Sequence, residues 1–172
     1  MDYSLPVLGF FGRSGSGKTT LLEKVIGELA RRGYRVAVLK HTRARNVETD
    51  LPGKDTRRLW EAGAAHTAFL VSDRIVHTHR YAAEPPLSEA LAGIHDVDLV
   101  LVEGDKRDAL PKIEVVRAAC DPQPIPEITG RIAYVTDVAD LPDAEGLPHF
   151  SLEDVPALAD FIERQLSLTP NS

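Results

Sequence analysis

Short apolar runs and amphipathic stretches alternate from the start of the chain. The run at 7–11 (VLGFF) is long enough for a buried strand and too short for a helix. Over 21–30, apolar residues recur at steps of three and four, which places them on one face of a helix. A second strand is predicted at 36–39. A strand, a helix and a strand in this order predict a βαβ unit, and therefore an α/β fold with a mainly parallel sheet covered by helices.

The rest of the chain continues the same alternation. Further strands are predicted at 97–102, 113–116 and 132–135, and further short helices at 56–62 and 87–92. A last helix is predicted to begin after Asp154, as its N-cap, and to run to about Leu166, because Pro156 then falls in the first turn. The alternation at 67–72 and 75–79 predicts an antiparallel hairpin at one edge of the sheet.

Length, charge and hydropathy narrow the class of protein. The 172 residues fit a single domain, with a frayed tail at 167–172. The net charge of −6 argues against a broad nucleic-acid surface, and no apolar run approaches the roughly 20 residues that a membrane helix needs. Without a basic, apolar leader, the chain is expected to be cytoplasmic. The lone Cys120 is expected to be a small core residue.

The most informative segment follows the first predicted strand. Residues 12–19 (GRSGSGKT) match the phosphate-binding pattern G-x-x-x-x-G-K-[ST], with a strand before it and a helix after it, as the motif demands. Its glycines allow backbone N–H groups to surround phosphate oxygens, and the helix directs its positive end at the same anion. The predicted nucleotide contacts are Gly12, Arg13, Ser14, Gly15, Ser16, Gly17, Lys18, Thr19 and Thr20.

A triphosphate site also needs oxygen ligands for Mg²⁺, and two residues are candidates. The hydroxyl of Thr19 occupies the motif position that binds the ion. Glu103 follows the strand at 97–102, and parallel strands present ligand-binding groups at their carboxyl ends. Asp98 begins that strand, about 16 Å away at roughly 3.3 Å per residue, so it is expected to be a strand-start or capping residue. A salt bridge to a nearby base is the alternative role for Glu103.

Five segments in a fixed order resemble one protein family. GRSGSGKTTLLEKVI, VAVLKHT, PGKDTRRLWEAGA, DLVLVEGDK and PKIEVVR resemble the molybdopterin-guanine dinucleotide biosynthesis protein B family (MobB), over residues 12–117. The resemblance departs in two places. Arg43 follows Lys40-His41-Thr42 where family members often carry another histidine, and Asp105 follows Val102-Glu103-Gly104 where an aromatic is common.

The resemblance implies a fold, a ligand and a pathway. It implies a P-loop NTPase-like three-layer fold that binds GTP with Mg²⁺, and a homodimer. It further implies an adapter that assists a guanylyltransferase in attaching GMP to molybdopterin, with at most slow GTP hydrolysis, and leaves open whether molybdopterin itself binds. A P-loop kinase acting on a small acceptor is the alternative, for which Thr56-Arg57-Arg58 is a weak candidate for a basic lid.

Three further residues are candidates, two of them outside the motif and one with a second role in it. Lys40 ends the second strand on the phosphate side and is a candidate nucleotide contact beside His41. Asp55 is a candidate ligand of Mg²⁺ through water, or else a helix N-cap. Arg13 is a candidate for supplying charge to phosphate in cis or in trans, and a solvated arginine is the alternative interpretation. Any hydrolysis would draw on Asp55, Glu103 or Arg13, and none stands out as the catalytic residue.

Asp137 is the candidate for reading the base. It follows the strand at 132–135, at the edge of the sheet where a base-binding loop is expected. A carboxylate binds guanine through the ring N–H and the exocyclic amine together. A turn-forming aspartate is the alternative interpretation.

Overall fold

The computed structural model describes residues 3–42, 55–142 and 146–169. The chain divides into two compact units. The core unit comprises Met1–Thr42 and Leu87–Ser172, and the hairpin unit comprises Arg43–Pro86. The sequence-based expectation of a single domain stays a prediction.

The described residues form strands and helices close to the predicted positions. The strands are β1 (Val7–Gly12), β2 (Val36–Lys40), β3 (His66–Val71), β4 (Arg74–His79), β5 (Leu99–Glu103), β6 (Lys112–Val116), β7 (Arg131–Thr136) and β8 (His149–Phe150). The helices are α1 (Lys18–Arg31), α2 (Asp55–Glu61), α3 (Leu87–Ala92) and α4 (Val155–Leu166). The two-residue strand β8 was not predicted, because its sequence is too short to show a period.

The core unit is built on a parallel sheet in the order β2-β5-β1-β6-β7-β8. Apolar residues of α1 and α4 pack on one face of this sheet, and α3 packs on the other. Strands β1, β5 and β6 are buried along their whole length, as expected for parallel strands covered on both faces. The predicted three-layer α/β fold is therefore confirmed.

The hairpin unit contains α2 and the antiparallel pair β3–β4. The hairpin was predicted at an edge of the main sheet, and this placement is wrong, since β3 and β4 form a separate two-stranded sheet. The backbones of β3 and β4 pair with each other, from His66 opposite His79 to Val71 opposite Arg74, and among the described residues neither strand forms a ladder with a strand of the six-stranded sheet. Alternation predicts a hairpin but does not show which sheet it joins.

Helix α4 confirms the expected N-cap. Asp154 lies before the helix and its carboxylate accepts a hydrogen bond from the backbone N–H of Ala157, at 3.2 Å. A proline lies in the first turn, where a missing N–H breaks no helical hydrogen bond. None of the helices formed by the described residues combines the length and the apolar character needed to cross a membrane.

Candidate nucleotide-binding site

The phosphate-binding pattern lies between β1 and α1, at the carboxyl edge of the parallel sheet. Strand β1 is flanked by β5 and β6, so its end lies inside the sheet rather than at an edge. Gly12 ends β1, and a Cβ added there would lie 2.4 Å from the carbonyl oxygen of Val115. Any larger residue at Gly12 would push the loop away from β6. The sequence thus places a glycine where the backbone of β6 leaves no room for a Cβ.

The amino end of α1 is left available for an anion. Gly17 is the N-cap, with φ 79° in the left-handed region, and no side chain caps the helix. The first turn of α1 holds no acidic residue. Its free N–H groups and the positive end of the helix dipole therefore have no competing negative charge within the turn.

Lys18 lies inside the loop that it is expected to serve. Its ammonium donates to the carbonyl oxygen of Arg13, at 2.6 Å, and lies 3.4 Å from the hydroxyl of Ser16. Burial lowers the pKa of Lys18 from its ordinary value, and the nearby charges of Lys106 and Lys40 act in the same direction, while Glu103 opposes them. An anion bound in the loop would compensate the partly desolvated ammonium.

Thr19, Glu103 and Lys40 meet beside the loop. The hydroxyl of Thr19 donates to Oε1 of Glu103 at 3.0 Å, and Nζ of Lys40 lies 3.5 Å from Oε2 of the same carboxylate. The Glu103 side chain is only 10% exposed, whereas that of Lys40 is 61% exposed. A hydroxyl and a carboxylate are hard oxygen ligands of the kind that Mg²⁺ prefers. The donor set therefore fits a magnesium ion, and Lys40 neutralises Glu103 when no ion is present.

The position of Glu103 is fixed by backbone contacts. The backbone N–H of His41 donates to the carbonyl of Glu103 at 2.8 Å, which continues the β2–β5 ladder past the end of β2. Gly104 then turns with φ 96°, and a Cβ there would lie 2.6 Å from the carbonyl oxygen of His41. Asp98, by contrast, accepts a hydrogen bond from the backbone N–H of Arg35 at 2.6 Å, in the strand-start role expected for it.

Arg13 is held by a carboxylate within the same chain. Its Nε lies 2.7 Å from Oδ2 of Asp121. Asp121 ends a turn, 117–121, in which the carbonyl of Arg117 accepts from the backbone N–H groups of Cys120 and Asp121 at 3.1 Å. We call this segment the flanking turn. Cys120 was expected in the core, and this expectation is wrong, because its thiol is exposed on a turn rather than on a buried strand.

The flanking turn also approaches the glycines of the loop. A Cβ on Gly15 would lie 3.6 Å from Sγ of Cys120, and a Cβ on Gly17 would lie 3.3 Å from Nη1 of Arg117. Sequence reasoning assigned no role to Arg117. The sequence did contain a signal for such a role. Arg117 directly follows a buried strand, at the carboxyl end of the parallel strands, where the phosphate loop also lies.

Asp137 is beside the flanking turn, and both of its carboxylate oxygens are engaged. Oδ2 accepts from Nε of Arg117 and Oδ1 accepts from the backbone N–H of Ala118, each at 2.8 Å. The Ala118 N–H, together with the Arg117 guanidinium, holds the pKa of Asp137 below its usual range. The carboxylate is therefore ionised at neutral pH and is committed to protein partners.

Asp55 and the candidate basic lid lie in the hairpin unit. Asp55 is the first residue of α2, its side chain is 93% exposed, and its Oδ1 lies 3.7 Å from Nη1 of Arg58. Arg57 is paired with Glu61 at 2.6 Å. Both arginines of the candidate lid therefore form i,i+3 or i,i+4 pairs along their own helix. The roles of Asp55 in binding Mg²⁺ and in hydrolysis stay predictions.

Comparisons with known proteins agree with one another. The family model described as "MobB: Molybdopterin guanine dinucleotide synthesis protein B" matches residues 7–137. A Haemophilus influenzae relative, named molybdopterin-guanine dinucleotide biosynthesis adapter protein, is 40% identical over 170 residues, covering 96% of this chain and 92% of its own. A relative of the same name from Escherichia coli is 37% identical over 163 residues, covering 92% and 91%.

Solved structures show the same likeness in three dimensions. The crystal structure of a MobB protein homologue from Bacillus stearothermophilus superposes with a TM-score of 0.70 at 28% identity, covering 93% of this chain and 99% of its own. A crystal structure titled as molybdopterin-guanine biosynthesis protein B superposes with a TM-score of 0.74 at 26% identity, again covering 93% and 99%. The likeness therefore extends over both the sequence and the fold.

Proposed function

The chain belongs to the MobB family of molybdopterin guanine dinucleotide synthesis proteins, and from this premise we propose that it is a GTP-binding adapter. Its role is that of an adapter in molybdenum cofactor biosynthesis, as the names of its relatives indicate. The proposal adds the ligand, the metal and the partner: the chain binds GTP with Mg²⁺ and assists a guanylyltransferase that attaches GMP to molybdopterin.

One observation carries the nucleotide part of this proposal. The phosphate pattern stands at the end of β1 with the amino end of α1 uncapped by any side chain, and with the ammonium of Lys18 inside the loop. An uncapped helix end, a glycine loop and a partly buried lysine together favour a polyphosphate. Lys40 is proposed as a second cation on the phosphates, since its side chain is exposed beside Glu103.

Magnesium is proposed at Thr19 and Glu103. Their oxygens lie 3.0 Å apart, so the two side chains would together hold one ion, which would supply positive charge beside the phosphates. With Glu103 on the ion, Lys40 would be available to contact the nucleotide. Guanine is proposed as the base from the family relationship, and Asp137 is proposed to belong to the nucleotide site.

Dimerisation and a cytoplasmic location are also proposed. The hairpin unit exposes large apolar side chains that a monomer would leave in water: Leu59, Phe69, Leu70, Ile75, Val76 and Tyr81. A two-stranded sheet is marginally stable in water without a further layer. Phe69 and Val76 lie opposite each other on one face of this sheet, and Leu70 and Ile75 on the other. A second copy of the chain, packed on one of these faces, would bury the apolar pair that lies there.

The nucleotide proposal is tested by calorimetry with GTP and ATP, each with and without Mg²⁺. Lys18→Ala should weaken Mg-GTP binding by roughly 100-fold or more, since it removes a charge-assisted contact to phosphate. Lys24→Ala is the matched control, because Lys24 lies on the same helix and pairs with Glu153 at the surface. Equal losses in the two variants would contradict the phosphate site. Equal affinity for GTP and ATP would contradict the choice of guanine.

Glu103→Gln tests the metal site separately. The change keeps the shape of the side chain but removes the charge that Mg²⁺ prefers. We expect the gain in GTP affinity on adding Mg²⁺ to shrink about tenfold or more, with little change in affinity when Mg²⁺ is absent. A full magnesium effect in Glu103→Gln would contradict Glu103 as a ligand.

The adapter role and the kinase alternative predict opposite kinetics. An adapter should accelerate GMP transfer by the guanylyltransferase and should turn over GTP slowly by itself. A kinase should phosphorylate a small acceptor over many turnovers with no partner present. A steady-state assay with and without the partner enzyme distinguishes them, with Lys18→Ala as the control for nucleotide dependence.

A further inference from the structure

The carboxylate of Asp137 holds Arg117 beside the phosphate loop through two hydrogen bonds. Oδ2 of Asp137 accepts from Nε of Arg117, and Oδ1 accepts from the N–H of Ala118, both at 2.8 Å. The carboxylate thus holds the side chain of Arg117 and the backbone that follows it. This arrangement fixes the guanidinium more firmly than a single exposed ion pair would.

The far end of the guanidinium faces the loop. Asp137 uses Nε, and Nη1 lies 3.3 Å from the position that a Cβ on Gly17 would take. Among the residues that the structure describes, Nη1 and Nη2 of Arg117 donate no hydrogen bond. The side chain is 34% exposed, so a ligand can reach it. Among the described residues, the four N–H donors on Nη1 and Nη2 therefore have no hydrogen-bond acceptor, and Nη1 lies close to Gly17, the N-cap of α1.

The rest of the flanking turn supports the same placement. Asp121 pairs with Arg13 at 2.7 Å, and Cys120 lies over Gly15. The turn is therefore paired with the phosphate loop through Asp121 and lies close to the loop at Gly15 and Gly17. Asp137 in turn accepts hydrogen bonds from Arg117 and Ala118 of this turn. A planar guanidinium held in this way suits bidentate recognition of phosphate oxygens.

We propose that Arg117 is a phosphate-binding residue of the nucleotide site and that Asp137 is its positioning residue, rather than a reader of the base. The ligand chemistry is that of a polyphosphate, and the base plays no part in this contact. The inference rests on the proposed nucleotide binding and deepens it. It also explains why both oxygens of Asp137 are already occupied, when bidentate recognition of guanine would require them.

The test compares a nucleotide with a base-free ligand. Binding of Mg-GTP, Mg-ATP and inorganic tripolyphosphate to the full chain is measured by calorimetry. Arg117→Ala should weaken all three by about tenfold or more, the effect of losing a charged hydrogen bond to phosphate. Arg117→Lys should restore part of this loss. Arg164→Ala, an exposed arginine on α4, is the control and should change nothing.

Asp137→Asn separates positioning from base reading. Asparagine still accepts from the N–H of Ala118 but cannot hold the guanidinium by charge. Weaker binding of tripolyphosphate, by a factor like that of Arg117→Ala, supports the proposal. Loss of GTP binding with tripolyphosphate and ATP unchanged would overturn it and assign Asp137 to guanine. Unchanged tripolyphosphate binding in Arg117→Ala would also overturn it.

The failure of this inference is distinguishable from that of the proposed function. A chain that binds tripolyphosphate through Arg117 but shows no preference for GTP would contradict the guanine adapter and leave the phosphate contact standing. A chain that binds GTP with normal affinity in Arg117→Ala would contradict this inference alone. A wild-type chain that binds neither ligand would contradict both.

Discussion

The core unit and the hairpin unit differ in how far their apolar side chains are buried. In the core unit, Leu101 and Ile113 are 0% exposed, and helices cover both faces of the sheet. In the hairpin unit, Leu70 is 75% exposed and Ile75, directly opposite it, is 56% exposed. Helix α2 has no buried residue. The core unit thus buries its large apolar side chains, whereas the hairpin unit exposes several of them.

The difference indicates that the two units have different roles, the core unit in shaping the candidate nucleotide site and the hairpin unit in association with another molecule. Among the described residues, the contacts reported for the candidate nucleotide site, from Gly12 to Asp137, all lie in the core unit, which also holds the buried apolar clusters. Such a site can form before any ligand or partner arrives. In the hairpin unit, by contrast, the described residues leave large apolar side chains exposed, as surfaces that bind another molecule often do. The proposed adapter therefore combines a candidate nucleotide site supported by a buried core with an exposed apolar surface suited to association.

The largest expected effect contrasts one leucine from each unit. Leu101→Ala should lower the free energy of unfolding by about 3 kcal/mol, because it leaves a cavity in a covered strand. Leu70→Ala should change it by less than about 1 kcal/mol in dilute protein, because the side chain is already in water. Urea denaturation measures both. Equal costs would show that the hairpin is packed as tightly as the core.

A smaller effect is expected for association. Leu70→Glu places a charge in the exposed apolar surface, so burying it against a second copy would cost desolvation. If the proposed dimer forms through this surface, it should dissociate at least tenfold more readily in Leu70→Glu, with nucleotide affinity unchanged. Sedimentation of Leu70→Glu and of the control Arg164→Glu measures this. Identical association in the two variants would mean that the hairpin is not the dimer surface.

The smallest effect is expected at Arg13. Its partner Asp121 is partly exposed, and such pairs contribute about 0–1 kcal/mol to stability. Asp121→Asn should therefore leave the unfolding midpoint almost unchanged while freeing Arg13 to move. Arg13→Ala tests its predicted charge on phosphate through GTP affinity and hydrolysis. If Arg13→Ala alters neither, Arg13 serves only to hold the flanking turn.

Local patterns in the sequence were sufficient for most of the core unit. Strands β1 and β5 and helix α1 were predictable, because the spacing of apolar residues along a short stretch of sequence is enough to identify each of them. This holds for the strand-loop-helix order around 12–19 and for the apolar run that ends at Glu103. The predicted N-cap at Asp154 was right for the same reason, since a cap depends on three or four consecutive residues. The meeting of Thr19 with Glu103 followed from a topological rule for parallel strands.

Other features were decided only when distant segments came together. No local pattern separates a hairpin at a sheet edge from one that forms its own sheet, because both alternate in the same way. The partners of Asp137 and Arg13 come from the flanking turn, about 20 and 100 residues away in the chain. The exposure of Cys120 was likewise not predictable, because it depends on how the flanking turn packs and not on the residues next to Cys120 in the sequence. The residue types and the spacing of apolar residues determine which helices and strands form and which functional groups they carry. Which side chains pair between distant loops depends on the strand order of the sheet, because that order decides which loops lie side by side.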